Sequence, residues 1–401
     1  TDISNPVIPI ENSCYLAPNN YNSVKIVDNY AYVAGGPSGL RVLDVNDYDK
    51  PVEIGYCDTP GDANYVAIKD NYAYIADGFS GLRVIDISDK NKPYEVYDYE
   101  PSGASKKIII CDTLLYLLYT QSFDSSGMTT PGSLRIFNIK TPSNPELLST
   151  YTTSDATLDI SIYQNYVYIA LGSTIAIINV ENPKNPTLEK SFSVPGSAWS
   201  IVVDSGYAYV GTWLPCSLKI MEVGNIDSIR QLSSIPMLRN IENMFLSGRY
   251  LYMANDAYGI KIIDVMDKSN PVVAGYYDTP GYSNDVVVKD SIIYLADGSS
   301  LQIFKGYGPL GVKSEKEDIT FDAHPSNLKF YNGAIHYNTQ TVAYVDLILY
   351  NILGQEVKIL EKSFKTKGEH SVKVAGISSG VYIAKLKTSK NTAVLRFVYL
   401  K

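Results

Sequence analysis

Asn71-Tyr-Ala-Tyr-Ile-Ala-Asp-Gly-Phe-Ser-Gly-Leu-Arg-Val-Ile-Asp-Ile87 holds two short runs rich in Tyr, Val and Ile, separated by a Gly-rich turn. Such runs read as two strands of a hairpin. The opening recurs as Asn29-Tyr-Ala-Tyr-Val-Ala34, and weaker forms follow down the chain. With the second Tyr as anchor, the copies centre on Tyr32, Tyr74, Tyr116, Tyr168, Tyr209, Tyr252 and Tyr294, at spacings of 42, 42, 52, 41, 43 and 42. Self-similarity at a period near forty residues is the mark of a repeat architecture. Each unit has an apolar strand before the anchor (Val66–Asp70, Val286–Asp290), the Tyr strand, the turn, and a third strand. A polar turn ending in Pro51, Pro93, Pro145, Pro186 or Pro271 leads to a fourth strand, often closed by Thr-Pro-Gly. A four-stranded antiparallel sheet cannot bury both its faces alone, whereas seven in a ring can. The expected fold is all-β, a seven-bladed β-propeller over residues 1–306. The seventh unit stops after its third strand, Leu301–Phe304, and Val7–Ile10 after Asp2-Ile-Ser-Asn-Pro6 matches the missing outer strand. The N-terminal strand is therefore expected to close the ring and remove its open edge.

Composition narrows the chemistry. Of 401 residues 45% are hydrophobic and 19% charged, enough apolar material for packed cores, and Tyr alone supplies 34. The longest apolar stretch, 108–118, is broken by Asp112, and no run reaches the ~18 residues of a membrane span. A net charge of −8 repels a phosphate backbone, which argues against nucleic acid as a partner. The three histidines, His324, His336 and His370, lie in the last eighty residues and share no metal spacing. The repeats thus lack imidazole for triads, metal sites or acid–base work. No cofactor or metal is expected. Cys14, Cys57, Cys111 and Cys216 show no C-x-x-C spacing and read as buried free thiols, with disulfides left open. The chain begins at Thr1 with no initiator Met, as a processed product or a trimmed chain would.

The third strands Leu40-Arg-Val-Leu-Asp-Val45, Leu82-Arg-Val-Ile-Asp-Ile87 and Ile260-Lys-Ile-Ile-Asp-Val265, each after a Tyr strand, resemble those of LVIVD-repeat proteins, bacterial propellers mostly found at cell surfaces. Asn138, Asn179 and Glu222 stand where that pattern has Asp. The resemblance implies a scaffold and no particular reaction. Gly306-Tyr-Gly-Pro-Leu-Gly311 satisfies G-x-G-x-x-G on paper, but Pro309 interrupts it and no helix pattern follows. Residues 307–318 read as a linker, and 319–401 as a small Ig-like β-sandwich of six or seven strands. Leu349-Tyr-Asn-Ile-Leu-Gly-Gln-Glu-Val357, Gly368-Glu-His-Ser-Val372 and Ser379-Gly-Val-Tyr-Ile-Ala-Lys-Leu386 resemble the C-terminal sorting domain of type IX secretion substrates. That resemblance implies handling by the secretion machinery, removal of a signal peptide, and export to the surface or surroundings of a Bacteroidetes-like bacterium. From position 309 on there are 13 basic and 8 acidic residues, net +5; the rest has 21 and 34, net −13.

In propellers the turns after strands two and four open on one face. Unit 3 carries about ten extra residues there, Gln121–Ser133, with Phe123, Asp124 and Met128. Unit 5 carries both tryptophans, Trp199 at an inner-strand start and Trp213 in the matching turn. An aromatic pair beside an exposed loop suits a glycan or a protein, or simply fills a gap between blades. The position after the Thr-Pro-Gly turn holds Asn22, Asn64, Ser105, Thr157, Trp199, Glu242 and Asn284, which should ring one mouth of the channel, as a ligand site or as solvated wall. Asp77-Gly78 and Asp297-Gly298 resemble calcium-loop fragments but read as turn chemistry. The leading expectation is a secreted or cell-surface non-enzymatic protein binding a protein or glycan on its loop face. A self-assembling filament or surface-layer subunit, with the sandwich docking on the next molecule, is the alternative. A carbohydrate-active enzyme would need paired carboxylates, for which Glu242 with Asp285 is the candidate.

Overall fold

The computed structural model describes residues 10–123, 129–305, 328–331, 333–339, 343–351, 356–378, 380–387 and 392–399. The chain divides into two compact units, Thr1–Gly311 and Val312–Lys401. The linker expected at 307–318 lies outside the described residues. Every described element is a strand except one 3-10 turn, Ile226–Ser228. The fold is all-β, and no described helix is long and apolar enough to cross a membrane.

In the first unit, repeat 2 shows the pattern. Tyr65–Lys69, Tyr72–Ala76, Leu82–Asp86 and Tyr94–Tyr99 pair antiparallel in chain order. Repeats 1, 3 and 6 form separate four-stranded sheets of the same order, beginning at Ser23, Ala104 and Asn243. Repeats 4 and 5 share one sheet, because Thr187–Asp204 runs unbroken from outer strand to inner strand. In repeat 7, Ile292–Lys305 pairs with Ser283–Lys289 up to Asp297 and with Ile10–Tyr21 from Gly298 onward. The N-terminal strand therefore serves this last sheet, but three residues later than expected. Ile10 sits opposite Lys305 as Val52 sits opposite Asp44. The chain has two X-Pro-apolar steps here, Pro6-Val7 and Pro9-Ile10. The second fills the outer-strand position opposite Lys305.

The paired apolar parities of Tyr-Ala-Tyr-Ile-Ala follow from burial on both faces. Ala31 and Val33 enter a cluster with Val287, Tyr294 and Leu301 of repeat 7, while Tyr32 and Ala34 enter one with Val66 and Ile75 of repeat 2. Each anchor tyrosine joins the cluster shared with the following repeat, from Tyr74 against repeat 3 to Tyr294 against repeat 1. Strand Ser23–Val27 contacts both Tyr65–Lys69 and Ser283–Lys289.

The turn signatures have local causes. The Asp77 carboxylate accepts from Thr59 Oγ1 (2.5 Å) and the Gly61 amide (2.9 Å), and Asp297 does the same with Thr279 and Gly281. These carboxylates clasp the Thr-Pro-Gly turn, so the calcium-like Asp-Gly pairs are turn chemistry. The third-strand Asp accepts from the amide two residues on, as Asp86 does from Ser88 (2.8 Å). Asn138 and Asn179 make the same bond to Lys140 and Glu181, which explains why they can replace it. Glu222 instead pairs with Arg230 (2.6 Å).

The second unit is two sheets over one core. Lys329–Tyr331, Ala334–Thr339 and Gly368–Lys373 form one; Glu356–Lys365, Ala343–Asn351, Gly380–Lys387 and Thr392–Tyr399 form the other. Ile335 and Tyr337 meet Val345, Leu347, Leu349 and Phe397 between them. His370 bonds Thr339 Oγ1 (2.9 Å), and His324 lies outside the described residues.

All four cysteines are free, but none is buried: Cys14 and Cys111 are exposed, Cys57 and Cys216 half-buried. Cys57 and Cys216 pack at the margins of the clusters between sheets, and Cys14 and Cys111 lie on an outer strand and at a strand end, which corrects the expectation of buried thiols.

Candidate functional site

A left-handed residue closes the hairpin after the inner strand in every repeat: Asp28, Asp70, Asp112, Gln164, Ser205, Gly248 and Asp290. Counting six residues back from each gives Asn22, Asn64, Lys106, Leu158, Trp199, Glu242 and Asn284. All seven line one cavity of about 370 Å³. Six of the seven expected ring residues line it: Asn22, Asn64, Trp199, Glu242 and Asn284 at this offset and Ser105 one residue earlier, while Thr157, also one early, does not. The turn before repeat 3, Pro101-Ser-Gly103, is one residue longer than Pro60-Gly61, and no proline stands in the turn before repeat 4, so a count from the turn slips by one. Ser105 and Thr157 are both fully buried. Their hydroxyls instead bond backbone carbonyls, Ser105 to Gly81 (2.7 Å) and Thr157 to Tyr119 (2.6 Å).

The ring has two arcs. Asn284, Asn22 and Asn64 each donate from Nδ2 to the carbonyl of the next repeat, Tyr21 (3.0 Å), Ala63 (3.1 Å) and Ser105 (3.1 Å). Each carboxamide keeps an acceptor oxygen and a second N–H beyond that bond. The other arc runs Lys106, Trp199, Glu242. The ammonium of Lys106 lies 5.1 Å from the Trp199 ring centroid, reaching past the short apolar Leu158. Trp199 Nε1 donates to Glu242 Oε2 at 2.8 Å. Trp213 meets Trp199 edge to face, centroids 5.8 Å apart, and is 43% exposed. Burial pushes Glu242 above the usual carboxylate range, against the indole hydrogen bond. Burial lowers Lys106, against the pull of Asp159 and Glu242.

One residue further along each strand, a polar network closes the floor. Lys107 reaches Asp159 (2.6 Å) and Asn243 (3.1 Å). Asn243 donates to Asp285 (2.6 Å), which also accepts from Ser23 Oγ (2.7 Å) and the Val24 amide (3.1 Å). Lys25 completes it, 3.4 Å from Asp285 and 4.6 Å from the Tyr65 centroid. Burial alone would lower Lys25 and Lys107; Asp285 and Asp159 more than offset it, and both stay above their ordinary range. The candidate carboxylates Glu242 and Asp285 are held by different partners, the Trp199 indole for the first and Ser23, Val24 and Asn243 for the second. Sequence reasoning missed Lys106, Lys107 and Asp159; the six-residue offset from the left-handed turn would have found the first.

The extra residues of repeat 3 form a small ribbon, Ser122–Phe123 against Thr129–Thr130. The Phe123 side chain, Asp124 and Met128 lie outside the described residues. Antiparallel order puts the turns after second and fourth strands at the cavity's end. Exposed Phe79, Trp213, Leu214, Leu238, Tyr258 and Tyr282 all lie in those turns.

The LVIVD repeat family matches residues 20–59, 60–100, 156–194, 195–215 and 239–279, and the secretion system C-terminal sorting domain matches 325–400. The lengthened repeat 3 and the shared repeat 7 fall outside the repeat matches. No curated protein matches the sequence. Among solved structures, the computationally designed Ika8 protein is similar at 11% identity and a TM-score of 0.52, over 73% of this chain and 98% of that one. A chain of the mitotic checkpoint complex is similar at 9% identity and a TM-score of 0.59, over 77% and 94%. Identities this low speak to the fold alone. The sorting domain marks the chain for export to the cell surface or extracellular space of a Bacteroidetes bacterium. The chain thus carries five matches to the LVIVD repeat followed by a C-terminal sorting domain of that secretion system.

Proposed function

We propose that this is a non-enzymatic glycan-binding protein of the cell surface, whose seven sheets close as a seven-bladed propeller with the binding cavity at one mouth. The packing of Tyr294, Leu301 and Ile303 on Val24, Val33 and Leu43 supports closure, since it joins the last repeat to the first. The observation that carries the binding reading is the cavity's lining: the carboxamides of Asn22, Asn64 and Asn284, the Glu242 carboxylate and Trp199, beside the Lys107–Asp159–Asn243 network, enclose about 370 Å³. A concave site of that size, with few polar groups and an aromatic wall, suits a small hydroxyl-rich unit such as a saccharide. A flat protein epitope would instead cover roughly 800 Å² of each partner. The exposed aromatic turns around the mouth offer further flat surface to the rest of a glycan chain. Asp285 is committed to Ser23, Val24 and Asn243, so the carboxylate pair a glycosidase needs is not assembled from it and Glu242.

The test is a panel of immobilised glycans probed with the full chain and with Trp199→Ala. Retention of the parent chain on at least one glycan, reduced tenfold or more by the substitution, supports the reading. Retention on none, or equal retention of both proteins, refutes it. A second reading, assembly into filaments, draws on the net −13 of the repeats against the net +5 beyond position 308. It predicts a solution mass well above 44 kDa at low salt that falls at physiological salt.

A further inference from the structure

The charges around the cavity do not all find partners. Lys107 is matched by Asp159 at 2.6 Å and Lys25 by Asp285 at 3.4 Å. Lys106 has no carboxylate within ion-pair distance among the described residues; its ammonium lies only over the face of Trp199. The nearby carboxylate of Glu242 is turned to the Trp199 indole N–H instead. A half-buried ammonium without a counter-charge has lost much of its water and gained no anion in exchange. Burial accordingly lowers its affinity for a proton. An anion arriving in the cavity would restore that balance, in a site where solvent screens poorly.

The remaining groups say what kind of anion. Asn22, Asn64 and Asn284 are each held by one donor bond to a backbone carbonyl, and each keeps a carboxamide oxygen as an acceptor among the groups lining the cavity. Glu242 adds acceptors. Acceptors call for a ligand rich in hydroxyl donors. Of the two lysines in the lining, Lys107 is matched by Asp159, so one unmatched cation remains and calls for a single negative charge. Phosphate groups are served by several free cations or a bidentate guanidinium, and the lining offers neither. We propose that the cavity is selective for acidic saccharides, sugars bearing one carboxylate, with Lys106 as the residue that pairs with it. This rests on the glycan-binding reading above and specifies its ligand class.

The experiment measures affinities of the full chain for glucuronate, galacturonate and N-acetylneuraminate beside glucose, galactose and N-acetylglucosamine. Trp199 and Trp213 are the chain's only tryptophans, so intrinsic tryptophan emission reports this site alone. The expected result is at least about tenfold tighter binding of one acidic sugar than of its neutral counterpart, the size of one charge-assisted hydrogen bond. Lys106→Gln should bring the acidic sugar down to the affinity of the neutral one, and Lys106→Arg should keep the preference. Equal affinities for acidic and neutral sugars, or a preference that survives Lys106→Gln, would overturn the acidic-saccharide inference while leaving glycan binding in place. Absence of any emission change with all six sugars would overturn both.

Discussion

Raising the pH above 10 should unfold the repeats in one cooperative step, because their seven anchor tyrosines hold their protons in the native state. Tyr32, Tyr74, Tyr116, Tyr168, Tyr209, Tyr252 and Tyr294 are each at most 5% exposed. Burial pushes Tyr32, Tyr116, Tyr168, Tyr252 and Tyr294 up to about 12, and raises Tyr74 and Tyr209 as well. An unfolded tyrosine ionises near about 10. Between about pH 10 and 12 the unfolded chain therefore binds fewer protons than the native one, and stability falls as pH rises. Each tyrosine contributes about 1.4 kcal/mol per pH unit to that slope, and seven together about 10 kcal/mol. Halving this to allow for screening leaves about 5 kcal/mol per unit, against a typical stability of about 5–15 kcal/mol. Lys25 and Lys107, held above their ordinary range, lose their pairing over the same interval and act in the same direction. The assay follows tyrosinate absorbance and far-ultraviolet circular dichroism together as pH rises from 9 to 12.5. The two signals should break at one pH between about 10.5 and 12, the absorbance rising steeply as the ellipticity collapses. Exposed tyrosines will ionise gradually near about pH 10; completion of the rise for all 34 tyrosines there, with ellipticity intact, would show the anchors in free exchange with solvent and refute the core described here.

Two further substitutions probe the repeat and its floor. Gly81 has φ +77°, and a Cβ there would stand 2.0 Å from the Tyr99 carbonyl oxygen, whereas Gly248 at φ +57° has nothing within 4 Å. Gly81→Ala should cost more than about 2 kcal/mol and Gly248→Ala about 1 kcal/mol by chemical denaturation; equal costs would contradict the close approach. Lys107→Met strands the Asp159 carboxylate and should cost about 3 kcal/mol. Adding Asp159→Asn should recover a good part of it, and strict additivity of the two costs would show that they do not interact.

Local chemistry decided what could be read in advance. The tyrosine period and the Gly and Pro turns repeat because every sheet meets the same two neighbours, so strand order and inter-sheet contacts were visible in one dimension. Ring positions counted correctly wherever a Thr-Pro-Gly turn or its equivalent keeps the spacing, at Asn22, Asn64, Trp199, Glu242 and Asn284. They slipped by one at Ser105, where the turn Pro101-Ser-Gly103 is one residue longer than Pro60-Gly61, and at Thr157, where no proline stands in the turn. The outer strand of repeat 7 slipped by three because two X-Pro-apolar steps compete and only pairing with Lys305 chooses between them. Lys107 reaching Asp159 and Asn243 could not be read at all. Those residues lie 52 and 136 positions away, and only the convergence of inner strands brings them together.

The central claim is that the chain's first strand seals the last repeat, holding the seven sheets in one ring and the cavity mouth intact. Asn284 depends on it directly, since it donates to the Tyr21 carbonyl. Amide hydrogen exchange of the intact chain tests it. If the ring is closed, the paired amides of 10–16 should exchange as slowly as those of the outer strand Val52–Cys57, through opening of the whole unit. Exchange of 10–16 orders of magnitude faster than 52–57 would mean that the strand frays freely, and the closed ring would have to be given up.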